Sequence, residues 1–174
     1  MKRSLVYIVL IIFCFILQAT VFRSFSFAGI VPNLLIIVTA SLGFMRGART
    51  GLAVGFLCGL LMDIFFGDVI GFHALLYMYI GFINGLLTGF FFPERIKQPL
   101  FMITLSNIFY GMLSYLILFM MRGRFNFNFY LINVILPEVV YTVLAALILY
   151  PLILWLDGLL DGRNNKAVTT VNDL

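Results

Sequence analysis

Residues 51–87 read GLAVGFLCGLLMDIFFGDVIGFHALLYMYIGFINGLL, and the placing of glycine and charge in this stretch decides the fold. Gly43, Gly47, Gly51, Gly55 and Gly59 recur at every fourth position, and Asp63 continues the series. A second series runs through Gly81, Gly85 and Gly89, with His73 and Tyr77 preceding it at the same spacing. Residues four apart lie on nearly one face of an α-helix. Small residues on such a face let helix backbones approach closely, which is how helices associate where lipid removes any hydrophobic drive between them. Gly67 and Asp68 break the apolar run and predict a tight turn. The stretch is therefore read as a helical hairpin, with arms at 51–66 and 71–92.

Composition names the solvent. Of 174 residues, 63% are hydrophobic and 10% are charged, with a mean hydropathy of +1.13. Soluble domains carry about 25% charged residues, so this chain cannot cover a water-facing surface and must face lipid. The net charge of +4 is spread over loops and forms no stripe for nucleic acid. Cys14 and Cys58 lie in apolar runs and read as packing residues; no Cys/His cluster supports a disulfide or metal site. No nucleophile stands with a base and no phosphate-cradling loop occurs, so neither an enzyme nor a cofactor is expected.

A spanning helix needs about 20 predominantly apolar residues. Six stretches qualify or come close: 5–22, 32–46, 51–66, 71–92, 100–121 and 130–156, the last with Pro137 and Pro151 inside it. The second is short. The first follows Lys2 and Arg3 as a signal peptide would, but no small-x-small cleavage site follows it cleanly and further spans come after, so it is expected to stay uncleaved. Residues 1–162 are read as one six-helix transmembrane domain, and 163–174 as a disordered cytoplasmic tail. With six spans, one face holds Lys2, Arg3, Arg46, Arg49, Arg95, Lys97, Arg163 and Lys166, and the other Arg23, Arg122 and Arg124. The excess places both termini in the cytoplasm. The turn at 67–71 then lies at the outer face.

Charged groups within membrane spans are costly and mark function by default, yet each here has a plain structural reading too. The glycines Gly51, Gly55, Gly59, Gly81, Gly85 and Gly89 pack the two arms together, or present a groove to a partner's helix. Asp63 caps the turn or meets a partner or ligand. Asp68 belongs to the surface turn. His73 is a hydrogen-bonding residue at a helix start, or a proton carrier. Glu138, after Pro137, faces the bundle interior, an outer vestibule or another protein.

The segment VPNLLIIVTASLGFMRG (31–47), the hairpin that follows, and LPEVVYTVLAALILYPLILWL (136–156) resemble the MreD family of bacterial rod shape-determining membrane proteins. The resemblance rests on Pro32, Asp63, Gly71, Ala74, Leu75 and Gly81, and on Pro137, Tyr141 and Pro151 in the closing helix, and covers nearly the whole chain. Asn33 stands where the family often has Asp, and His73 where Asn is expected; both swaps keep hydrogen bonding. The resemblance implies a non-enzymatic scaffold of the cell-elongation complex in the inner membrane. Its partner would be MreC, and through it MreB filaments would be coupled to RodA and a class B penicillin-binding protein in peptidoglycan synthesis. It also implies the six-helix arrangement of substrate-binding subunits of energy-coupling-factor transporters. A vitamin-type transport subunit, with an outer cavity lined by Asp63, His73, Glu138 and Asn33, is the alternative function; a lipid-handling role is a third.

Overall fold

In a computed structural model, which describes residues 2–22, 30–67, 69–88, 97–119 and 127–172 (side chains of 2, 3, 22, 118, 119, 127, 128 and 160–172 excepted), the chain is helical. Helix α1 covers Lys2–Leu17 and continues through a π-helical turn, Gln18–Phe22; α2 is Leu34–Arg46, α3 Ala48–Phe66 and α4 Phe72–Leu87. Helix α5, Lys97–Ser114, runs into a second π turn, Tyr115–Phe119. The short α6, Phe127–Tyr130, leads through a third, Leu131–Ile135, into α7, Leu136–Asn172. The domain boundary expected near residue 162 falls inside α7, beyond Leu159, where side chains are not described. Asp68, Gly89 and the loop at 93–96 also lie outside the described residues.

Among the described residues four helical stretches are long and apolar enough to cross a membrane: Ser4–Val21, Ala48–Phe66, Lys97–Ile117 and Leu131–Leu159. Two apolar helices, α2 and α4, are shorter. At 13 residues α2 spans about 20 Å, well under the ~30 Å hydrocarbon core. It survives because it lies at the centre. Every residue from Leu34 to Gly43 is buried, with α1, α3, α4, α5 and α7 all packed against it. The outside of the bundle is apolar instead: Leu5, Phe13, Ile64, Phe101, Ile148 and Trp155 are all more than half exposed, as lipid-facing side chains should be.

Among the described residues the most extensive helix contact is between α3 and α4, and the glycine series makes it. A Cβ on Gly51 would run into the Gly81 carbonyl oxygen, and one on Gly81 into that of Gly51. Gly55 faces the carbonyl of Tyr77, Gly59 that of His73, and Gly85 the backbone of Ala48. Helix α2 joins at Gly43, where a Cβ would lie 2.7 Å from the Gly81 oxygen. The two stripes thus meet each other, backbone on backbone, and with α2 seated at Gly43 the protein's own helices cover that face. The turn between α2 and α3 is a single residue, Gly47, at φ +88°. Gly71 before α4 has φ +98°. Both positions suit glycine because a Cβ strains that region.

Gly55→Ala and Gly81→Ala should each destabilise the purified protein by about 1–3 kcal/mol, since backbone cannot yield as a side-chain end can. Gly158→Ala on α7, where nothing lies within 4 Å of a new Cβ, should leave the unfolding temperature in detergent unchanged. Equal behaviour of the three variants would contradict the close α3–α4 contact.

Candidate functional site

The hairpin end of the bundle, where α3 turns into α4, collects the polar side chains that the sequence singled out. Asp63, in the last turn of α3, is 2% exposed. Gly71 starts α4 without any side-chain cap of its own, so the first N–H groups of α4 lack partners in their own helix. Asp63 supplies them from across the turn. One oxygen, Oδ2, accepts from Gly71 N and Ala74 N, both at 2.9 Å, and Oδ1 accepts from His73 N at 2.9 Å. The His73 ring completes the set, with Nδ1 2.8 Å from Oδ1. An ionised carboxylate only accepts, so this geometry assigns the imidazole proton to Nδ1 and leaves Nε2 to the surroundings. Four hydrogen bonds and the positive end of a helix dipole compensate the buried charge.

From His73 a chain of contacts crosses the bundle. Its ring lies 6.0 Å from that of Tyr110 on α5, and Tyr110 packs edge-on to Tyr77 at 5.2 Å. The Tyr77 hydroxyl donates to Asn33 Oδ1 at 2.7 Å. Asn33 caps α2, its Oδ1 also accepting from Ile36 N at 3.2 Å, while its own N–H donates to Thr142 of α7 at 3.0 Å. Gln18, in the π turn that ends α1, takes the next two orphan donors: its Oε1 accepts from Leu34 N at 2.9 Å and Leu35 N at 3.3 Å. The side chain of Glu138, in the first turn of α7, lies against Asn33. Pro137 is half-buried beside it. This band therefore links Asp63, Gly71, His73, Tyr77 and Glu138 through neighbouring contacts, with Asn33 as its hub.

Sequence reasoning missed Gln18, Thr142 and a second polar group at the other end. There Asp157 of α7, 7% exposed, binds Arg46 through Nη2 at 2.8 Å and Nε at 2.9 Å. It also accepts from the Tyr7 hydroxyl of α1 at 2.9 Å. The sequence signal was present, an aspartate in a long apolar helix, but its partners stand 111 and 150 positions away.

Asp63→Ala strands three backbone donors and the His73 ring in a buried site, and should cost about 2–4 kcal/mol of stability. Asp63→Asn keeps one acceptor oxygen and should lose less. Unfolding of the three proteins in the same micelle checks the order; an alanine variant as stable as the parent would show that water replaces the carboxylate there.

No curated protein and no solved structure matches the chain. The sequence profile described as rod shape-determining protein MreD matches residues 1–158, a span that takes in all of the hairpin, Asn33, Glu138 and Asp157. With that much of its length matched, the chain belongs to the MreD family, membrane proteins of rod-shape determination.

Proposed function

We propose that this protein is a non-enzymatic scaffold subunit of the bacterial cell-elongation complex, seated in the inner membrane with both termini in the cytoplasm. The family match over residues 1–158 carries the reading. In this arrangement α2 and α4 complete six crossings, the order that energy-coupling-factor substrate-binding subunits also have. The Lys and Arg residues at the end opposite the hairpin set the orientation. MreC is the partner, and through it MreB filaments are coupled to RodA and a class B penicillin-binding protein.

The glycine faces, occupied by each other, leave a partner helix to dock elsewhere. A groove of about 330 Å³ between α4 and α5 supports that role. Ile83, Leu105, Phe109 and Met112 line it and are open to lipid. At its floor Asn84 is 3% exposed. Its Nδ2 donates to the Ile80 carbonyl at 2.8 Å and reaches Ser106 Oγ at 2.7 Å. A carbonyl only accepts, which fixes the amide orientation and leaves Oδ1 buried with no partner. The transport reading loses its support at the hairpin end, where Asp63 and Asn33 direct their oxygens to the protein's own backbone and Tyr77.

MreC should co-purify with the chain from membranes in mild detergent. Ile83→Trp, which fills the groove from an exposed position, should reduce the recovered MreC at least fivefold at unchanged stability. Absence of MreC from the parent preparation would overturn the partner, whereas full recovery with the variant would move the contact away from this groove. In rod-shaped cells depleted of the protein, the parent gene should restore shape and Ile83→Trp should not.

A further inference from the structure

At the end opposite the hairpin, α1 and α3 diverge and leave a groove of about 420 Å³ that opens to the surroundings. Its two ends differ in chemistry. Ser4, Arg49 and Thr50 stand at the mouth beside the Arg46–Asp157 pair, and Ile8, Ala53 and Leu57 line the way inward. From Arg49 at the mouth to Leu57 the helix rises about 12 Å, so the groove runs from a polar end into an apolar one. The charge at the mouth is settled by pairing. Arg46 is held against Asp157, and the two cancel. Arg49 is exposed, and no acidic side chain among the described residues pairs with it. The end of α2 and the start of α3 meet at Gly47, so their opposed dipoles offset each other, and among the described side chains the unpaired positive charge at the mouth is that of Arg49.

We propose that this groove binds one anionic glycerophospholipid, its phosphate against the Arg49 guanidinium and one acyl chain along Ile8, Ala53 and Leu57. A basic head end with hydroxyls, leading into an apolar groove, matches an amphiphile of one negative charge. Guanidinium presents two parallel donors to phosphate, a geometry that choline or ethanolamine does not improve. A soluble anion would use only the mouth, and an uncharged lipid only the channel. The groove offers both together. The site rests on the membrane placement of the chain and is independent of any partner at the α4–α5 face.

The full-length protein, stripped of lipid in detergent, is titrated with phosphatidylglycerol and with phosphatidylethanolamine of the same acyl chains, and bound lipid is counted by native mass spectrometry. One phosphatidylglycerol should bind about fivefold more tightly than phosphatidylethanolamine, the scale of one Arg near a lipid phosphate. Arg49→Gln should bring the two lipids to parity. Ala53→Trp, at an exposed position away from the α3–α4 contact, should weaken both lipids at least tenfold without lowering the unfolding temperature. Equal binding of the two lipids by the parent protein overturns the proposal, as does undiminished phosphatidylglycerol binding by Ala53→Trp. Displacement of phosphatidylglycerol by millimolar inorganic phosphate overturns it also, since the mouth alone would then account for binding.

Discussion

Everything in the bundle is arranged around the two ends of α2. A helix of 13 residues, buried from Leu34 to Gly43, begins within the protein rather than in water, and its last turn is only partly exposed. Each terminus leaves backbone groups without partners, and in a low-dielectric interior each unmet group costs several kcal/mol. The N-terminal donors are met by Asn33 Oδ1 and Gln18 Oε1, with Thr142 holding the Asn33 backbone in place. At the other end the Thr88 hydroxyl of α4 donates to the Phe44 carbonyl at 2.8 Å, and Gly47 N–H to that of Gly43 at 2.8 Å. The residues that satisfy α2 come from α1, α4 and α7, so capping one short helix fixes the positions of three others.

The α3–α4 hairpin solves the same problem differently. Dispersion between backbones brought together by glycine replaces the hydrophobic drive that lipid cannot supply. Such contact needs both helices in one register, because a shift of one residue would set side chains against carbonyls. Asp63 enforces that register. Its oxygens reach Gly71, His73 and Ala74 together only when the turn has its observed length. Burial of a charge is a weak source of stability, and removing its partner is strongly destabilising. That asymmetry makes both Asp63 and Asp157 register pins: each is tolerable in one arrangement and costly in the neighbouring ones.

The glycine spacing and the Asp63–His73 approach could be read because both are local. A period of four names a helix face, and residues 63 and 73 flank one turn. What the spacing left open was which surface meets that face; the Gly51–Gly81 contact shows the two stripes meeting each other. In the sequence Asn33 reads as a swap in a family motif and as a candidate cavity residue; its part as the hub between Tyr77 and Thr142 depends on partners 44 and 109 positions away. Arg46 was counted as a loop charge for topology, although its guanidinium turns inward to Asp157. The shortness of α2 was visible. Its central place was not, since an all-apolar run looks the same whether it faces lipid or other helices. The π turns at Gln18 and Leu131 leave no composition signal at all, though the first carries the side chain that caps α2.

Closure of the hairpin face has a consequence for where this protein can act. The polar residues that drew attention in the sequence are turned inward and hold helices to helices: Asp63 to α4, Asn33 to α4 and α7, Asp157 to α1 and α2. In the proposed scaffold role, recognition falls to the flanks, where grooves open between α4 and α5 and between α1 and α3. Among the described residues one flank is mostly apolar above the buried Asn84 oxygen, and the other carries Ser4, Arg49 and Thr50 at the mouth of an apolar groove. A rigid centre with two dissimilar lateral grooves suits a subunit that works by being held between neighbours in the bilayer. The buried polar groups Asp63, Asn33 and Asp157 are the ones that keep the short helices in place.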